Sequence, residues 1–175
     1  EPGRGSVFSF TLPQAGRRER AGKPERPRAP GETVHPETRG LSILLAEDAE
    51  DNRQVIGAFL KSTPLRLFLA KNGAEAVDRF QDEEPDLVLM DLLMPVLDGY
   101  GAAGNIRDWE KEQGRPRTPI VALTAQALTN DLERALEAGC DAHLTKPLRK
   151  AKLLELIGGV AGGAGGGSAW KGGGA

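Results

Sequence analysis

The chain has 175 residues, 39% hydrophobic and 27% charged, with a net charge of −2; that is enough apolar material for one domain with a full core and cramped for two. The acid excess lies in the body, where residues 41–175 hold 15 Lys+Arg against 20 Asp+Glu, a balance that gives no support to a basic nucleic-acid surface. No apolar run approaches the roughly 18 residues of a membrane span or follows the charged-then-apolar pattern of a signal peptide, and the single cysteine, Cys140, suits a reducing compartment.

Three compositional zones follow one another. Residues 14–40, QAGRRERAGKPERPRAPGETVHPETRG, are rich in Arg, Pro and Gly and almost free of large apolar side chains, so they read as a flexible linker. Residues 158–175 contain 10 glycines in 18 positions and read as a disordered tail. The core-forming residues lie between, at 41–157. A chain that starts with Glu1 reads as a piece of something longer.

Within 41–157 the apolar segments alternate in kind. SILLA (42–46), LRLFLA (65–70), DLVLM (86–90), PIVALT (119–124) and AHLTK (142–146) are short runs bounded by Pro, Gly or charge, and are expected as strands. Three are apolar throughout, as strands covered on both faces of a parallel sheet are. Between them DNRQVIGAFLKS (51–62) puts Val55, Ile56, Phe59 and Leu60 on one helical face, and GAEAVDRF (73–80) does so with Ala76, Val77 and Phe80. A glycine-rich third helix follows around YGAAGNIRDWEKE. TNDLERALEAG (129–139) has Thr129 as a candidate cap, acid in its first turn and a stop at Gly139. A last helix is expected from about 149 to 157. Five strand–helix repeats predict a doubly wound α/β domain.

Ligands of such sheets sit beyond the carboxyl ends of the strands. There the first strand ends in Glu47-Asp48, the third in Asp91, the fourth in Thr124 and the fifth in Lys146. Asp91 is the oddity, one carboxylate inside the run LVLMDLLM, where an unpaired charge would be costly to bury. Clustered acids repel unless a cation joins them, and a site of few oxygen ligands suits Mg2+. A carboxylate beside Mg2+ and a lysine can act as a nucleophile toward phosphorus, with Thr124 bonding a phosphoryl oxygen. Asp98-Gly99 reads as a turn, Cys140 as a small core residue and Trp109 as packing; His35 and His143 lack the partners a metal site needs.

The set LLAEDAEDN, VLMDLLMPVLDG, IVALTA and AHLTKPL, in that order and spacing, resembles the receiver domain of two-component response regulators. The resemblance implies a flavodoxin-like (βα)5 sheet of strand order 2-1-3-4-5. It makes Asp91 the phosphoacceptor and Asp48 a direct Mg2+ ligand, with Glu47 acting through water and the Leu93 backbone carbonyl completing the protein ligands. Thr124 and Lys146 would contact the phosphoryl group, and the Lys146-Pro147 bond would be cis. The switch pair would be Thr124 and the residue three before the lysine; that position is usually aromatic in the family and is His143 here. A shorter stretch, GRGSVFSFTLP (3–13), is similar to the last strand pair of a histidine kinase ATP-binding domain, which makes residues 1–13 a kinase stub without ATP-binding boxes. Kinase end, linker and receiver together imply the C-terminal piece of a cytoplasmic hybrid sensor histidine kinase whose parent could be membrane-anchored. The implied chemistry is self-catalysed aspartyl phosphorylation. The implied partners are a kinase core and a histidine phosphotransfer protein, with no nucleic acid and no membrane contact from this chain.

Two rivals are weaker. A haloacid-dehalogenase-like phosphatase wants a second Asp where Leu93 stands. A receiver-like scaffold that is not phosphorylated is the alternative, but such modules usually lose an acid or the lysine, and here none is missing.

Overall fold

The computed structural model describes residues 40–125 and 129–162. The kinase-like stretch, the linker before Gly40 and the chain after Gly162 lie outside these, as does the side chain of Thr129, so its capping role is not described. Five strands and five helices alternate: β1 (Ser42–Ala46), α1 (Glu50–Leu60), β2 (Arg66–Ala70), α2 (Gly73–Glu83), β3 (Leu87–Asp91), α3 (Gly99–Glu112), β4 (Ile120–Thr124), α4 (Thr129–Glu137), β5 (Ala142–Thr145) and α5 (Lys150–Gly162). All pairings are parallel and the order is β2-β1-β3-β4-β5, as expected.

The continuous apolar runs are explained by the pleat. Successive side chains alternate between faces, so Leu44, Ala46, Val88, Met90, Ile120 and Ala122 meet α2, α3 and α4 on one side. Ile43, Leu45, Leu87, Leu89, Val121 and Leu123 meet α1 and α5 on the other. β1, β3 and β4 are buried along their whole length, whereas the edge strand β2 is only partly covered and leaves Leu69 40% exposed. Cys140 is buried in the first layer, and burial pushes its thiol up to about 12, so it packs as a small neutral side chain. Trp109 packs edge-on to Phe80 with ring centroids 5.7 Å apart. Among the described residues no helix is long and apolar enough to cross a membrane.

Four details differ from expectation. Val55 points outward, 48% exposed, because the buried stripe of α1 is Ile56 and Leu60, and a neighbour in sequence lies about 100° round the helix. Asp98 is the N-cap of α3, its side chain accepting from Gly101 N at 2.8 Å, rather than part of a free turn. Gly99 is the first residue of that helix, and the position takes only glycine because a Cβ there would fall onto the Asp91 carbonyl oxygen. The last helix, expected to end at 157, continues to Gly162; Val160 packs against the second core layer and holds the last turns in place despite Gly158 and Gly159.

The N-terminus of α2 is the best-built cap. Asn72 accepts from Glu75 N at 2.9 Å, while the Glu75 carboxylate reaches back to accept from Lys71 N at 2.9 Å. That backbone hydrogen bond holds the Glu75 carboxyl below its ordinary value. Asn72→Ala is expected to lower unfolding free energy by about 1 kcal/mol, read from the urea midpoint at constant slope; an unchanged midpoint would show the cap to be idle.

Candidate functional site

The sheet brings Glu47, Asp48, Asp91, Thr124 and Lys146 to one edge. In register, Ala46 sits beside Met90 and Asp91 beside Leu123, so the residues that follow β1, end β3 and end β4 are neighbours. Asp91 is the last residue of β3 and is 7% exposed, at the lip of the sheet. Lys146 Nζ donates to Asp91 Oδ2 at 2.6 Å and forms an ion pair with Glu47 Oε2 at 2.7 Å. Its own position is set by its backbone N–H, which donates to the Thr124 carbonyl at 2.7 Å. The Lys146-Pro147 bond is cis. Leu93 adjoins the cluster through its backbone, its N–H donating to Asp91 Oδ1 at 3.3 Å. Thr124 ends β4 and is buried.

Burial pushes the Asp91 carboxyl above its ordinary value, because desolvation outweighs the Lys146 ammonium that opposes it and the Glu47 charge adds to the rise. Lys146 moves up as well: burial alone would lower it, and the hydrogen bonds and charges of Asp91 and Glu47 more than compensate. The arrangement is one cation shared by two buried acids.

A divalent metal fits this donor set. Glu47, Asp48 and Asp91 each offer a carboxylate oxygen, all within 4.8 Å of one another. An octahedral Mg2+ with oxygens at about 2.1 Å puts opposite ligands about 4.2 Å apart, inside that spread. Glu47 Oε2 is fully buried and receives no hydrogen bond of good geometry; the nearby Lys146 charge compensates it electrostatically, and a hydrated cation would do so by contact.

The sequence reading missed two residues that hold this edge in place. Asn52 donates to Glu47 Oε1 at 2.8 Å, and Arg53 NH1 donates to the carbonyls of Glu47 and Asp48 at 2.7 and 2.6 Å. These bonds from the first turns of α1 fix where Asp48 leaves the strand; the only signal in the sequence is a polar pair one turn after two acids. His143 lies in β5 beside Ala122, half-buried. Burial holds its imidazole below the ordinary value, so the unfolded chain binds a proton more readily. Its contribution is complete above the ordinary histidine value of about 6.5 and is lost as pH falls through the lowered folded value. His143→Phe is therefore expected to lessen the drop in the urea midpoint between about pH 7 and about pH 5; an equal drop in both chains would refute this.

Residues 43–158 match the family model described as the response regulator receiver domain. The chain belongs to that family. Among curated proteins this receiver is 39% identical over 124 residues to the peroxide stress-activated histidine kinase mak1 of Schizosaccharomyces pombe, covering 69% of this chain and 8% of the kinase. It is 36% identical over 135 residues to the sensor histidine kinase GacS of Pseudomonas protegens, covering 77% of this chain and 14% of the kinase. The chain thus spans a small part of these relatives' length. Among solved structures it is similar to the receiver domain of a sensor histidine kinase from Pseudomonas aeruginosa PAO1, which has a magnesium ion coordinated in its active-site cleft. That match has 41% identity and a TM-score of 0.64 and covers 70% of this chain and 98% of that one. It is also similar to a Saccharomyces cerevisiae structure of the histidine phosphotransfer protein Ypd1 with the receiver domain of its downstream regulator Ssk1. There the identity is 38% and the TM-score 0.65, with 68% of this chain and 87% of that one covered.

Proposed function

We propose that this chain is the receiver of a hybrid sensor histidine kinase and accepts a phosphoryl group from phosphohistidine onto Asp91, with Mg2+ as cofactor. The observation that carries the reading is the shared contact of Lys146 with Asp91 and Glu47 inside a cluster of three carboxylates. In the reaction a carboxylate oxygen of Asp91 attacks phosphorus in line. The P–N bond breaks, and the imidazole nitrogen keeps the bonding pair and takes a proton. Lys146 holds Asp91 in place and then neutralises the phosphoryl oxygens, one of which accepts a hydrogen bond from the Thr124 hydroxyl. Mg2+, when bound, supplies the rest of that charge neutralisation. Asp48, Asp91 and the Leu93 carbonyl would hold it directly and Glu47 through water. The acyl phosphate then shifts the face built from β4, β5 and α4 through Thr124 and His143.

The magnesium in the Pseudomonas aeruginosa cleft supports the metal assignment, and the Ypd1 complex supports a phosphotransfer protein as partner. The donor is a kinase core, in the same polypeptide or in a partner, and the location is cytoplasmic. Incubation with phosphoramidate and Mg2+ should add a base-labile phosphoryl group to the intact mass, and EDTA should prevent it. No gain with the metal present would end this reading.

A further inference from the structure

Two side chains from the start of α1 reach back to the acidic edge of the sheet, and they act on different atoms. Arg53 donates to the main-chain carbonyls of Glu47 and Asp48 and so holds the path of the loop. Asn52 instead donates its side-chain amide to a carboxylate oxygen, Glu47 Oε1, at 2.8 Å. The other oxygen, Oε2, faces Lys146 at 2.7 Å. It is buried and receives no hydrogen bond of good geometry, which makes it the oxygen left for a hydrated cation. The two oxygens of Glu47 thus have separate tasks, and Asn52 separates them.

Helix formation does not account for Asn52. The N-cap of α1, Ala49, makes no side-chain cap bond, and Asn52 is an exposed residue of the first turn, where alanine favours a helix more than asparagine does. Glu47, by contrast, is fully buried. Its Oε1 has one further donor nearby, Ala49 N, at a long 3.4 Å. A buried anion that loses a hydrogen bond turns toward the donors that remain. Without the Asn52 amide, the carboxylate can rotate until both oxygens face Lys146.

That rotation changes which cation the site suits. Mg2+ demands near-octahedral geometry and keeps several waters, so it needs an acceptor oxygen in a fixed place. Ca2+ takes about six to eight oxygens in flexible geometry and accepts bidentate carboxylates. A Glu47 that presents one fixed oxygen favours the smaller ion, and a Glu47 with both oxygens loose favours the larger.

We propose that Asn52 is a positioning residue for the metal: by holding Glu47 Oε1 it leaves one oxygen to the site and sets the preference for Mg2+ over Ca2+. The inference rests on the proposed function, in which Mg2+ is held at this cluster, and adds the residue that discriminates between the two ions.

The test titrates wild type and Asn52→Ala with MgCl2 and, separately, with CaCl2, following the amide resonances of Asp48 and Leu93 by NMR. Loss of an outer partner of a metal ligand costs about tenfold or more in affinity, so the Mg2+ Kd should rise about tenfold. The Ca2+ Kd should rise no more than about threefold, because the freed oxygen serves the larger ion. A merely structural role would weaken both ions by the same factor, since a loosened loop does not distinguish ion size. An unchanged Mg2+ Kd, or equal losses for both ions, therefore overturns the positioning role. So does a variant whose circular dichroism in EDTA shows it to be unfolded, because Asn52 would then be structural. A wild type in which MgCl2 moves neither resonance overturns the metal in the proposed function itself, and the role of Asn52 falls with it.

Discussion

Asp91→Asn is expected to abolish phosphoryl acceptance while leaving the fold at least as stable as wild type without metal. The first half follows from chemistry: the amide keeps the shape of the carboxylate but offers no anionic oxygen to attack phosphorus. Neighbouring acids cannot take over. Glu47 is fully buried and committed to Asn52 and Lys146, and Asp48 is an exposed residue to which Lys146 is not bonded. The second half follows from burial, which penalises the ionised Asp91 more than Lys146 rewards it; removing the charge removes that penalty. Intact mass after phosphoramidate treatment reads the first outcome and urea unfolding the second. A variant that still gains a base-labile phosphoryl group would move the acceptor to another residue, and one that fails to fold would show Asp91 to be structural.

The site was legible for a physical reason. In a parallel sheet each strand's last polar residue lands on the same edge, so Glu47, Asp91, Thr124 and Lys146 could be read as one cluster from apolar runs followed by a polar residue. The strands were legible because they are short runs bounded by Pro, Gly or charge, and the unbroken apolar stretches of β1, β3 and β4 suit burial on both faces. Where an element is exposed on one side, the reading was less secure. Val55 looked inward because Val55, Ile56, Phe59 and Leu60 can be drawn on one wide stripe, while the sheet buries Ile56 and Leu60, takes Phe59 in part and leaves Val55 outside. Arg53 was invisible because its partners are main-chain carbonyls, which have no identity in the sequence.

Arg107 is the largest feature that the sequence concealed, and Arg107→Met is expected to cost about 3–5 kcal/mol of unfolding free energy. As written, Arg107 and Glu110 are an i,i+3 pair on a helix, which at a surface contributes a few tenths of a kcal/mol at most. Here both are almost enclosed, with side chains 12% and 5% exposed. Arg107 donates through NH1 to Glu110 Oε2 at 2.6 Å and to the Thr118 carbonyl at 2.8 Å, through NH2 to Asp141 Oδ2 at 2.6 Å, and through Nε to the Gly139 carbonyl at 2.9 Å. The two acids in turn accept from the backbone that starts β4, Glu110 from Thr118 N at 2.6 Å and Asp141 from Ile120 N at 2.8 Å. One guanidinium therefore ties α3 to the entry of β4 and to the turn between α4 and β5. That turn passes through Gly139 at φ 111°, where a Cβ would press on the Arg107 side chain at 2.7 Å. Methionine fills the space of the stem but leaves Glu110 buried without its cation, and that uncompensated charge dominates the loss. Asp141 suffers less because Arg117 Nε still donates to it at 2.8 Å. Adding Glu110→Leu to Arg107→Met should restore part of the lost stability, since the second change removes the orphaned charge. A single variant costing under about 1 kcal/mol, or a double variant worse than the sum of its parts, would show that the network is a solvated surface feature. Because the network lies at the amino ends of β4 and β5, opposite Asp91, the variant that remains folded should still accept phosphoryl groups at the wild-type rate. That result would separate what holds the sheet together from what the sheet presents at its other edge.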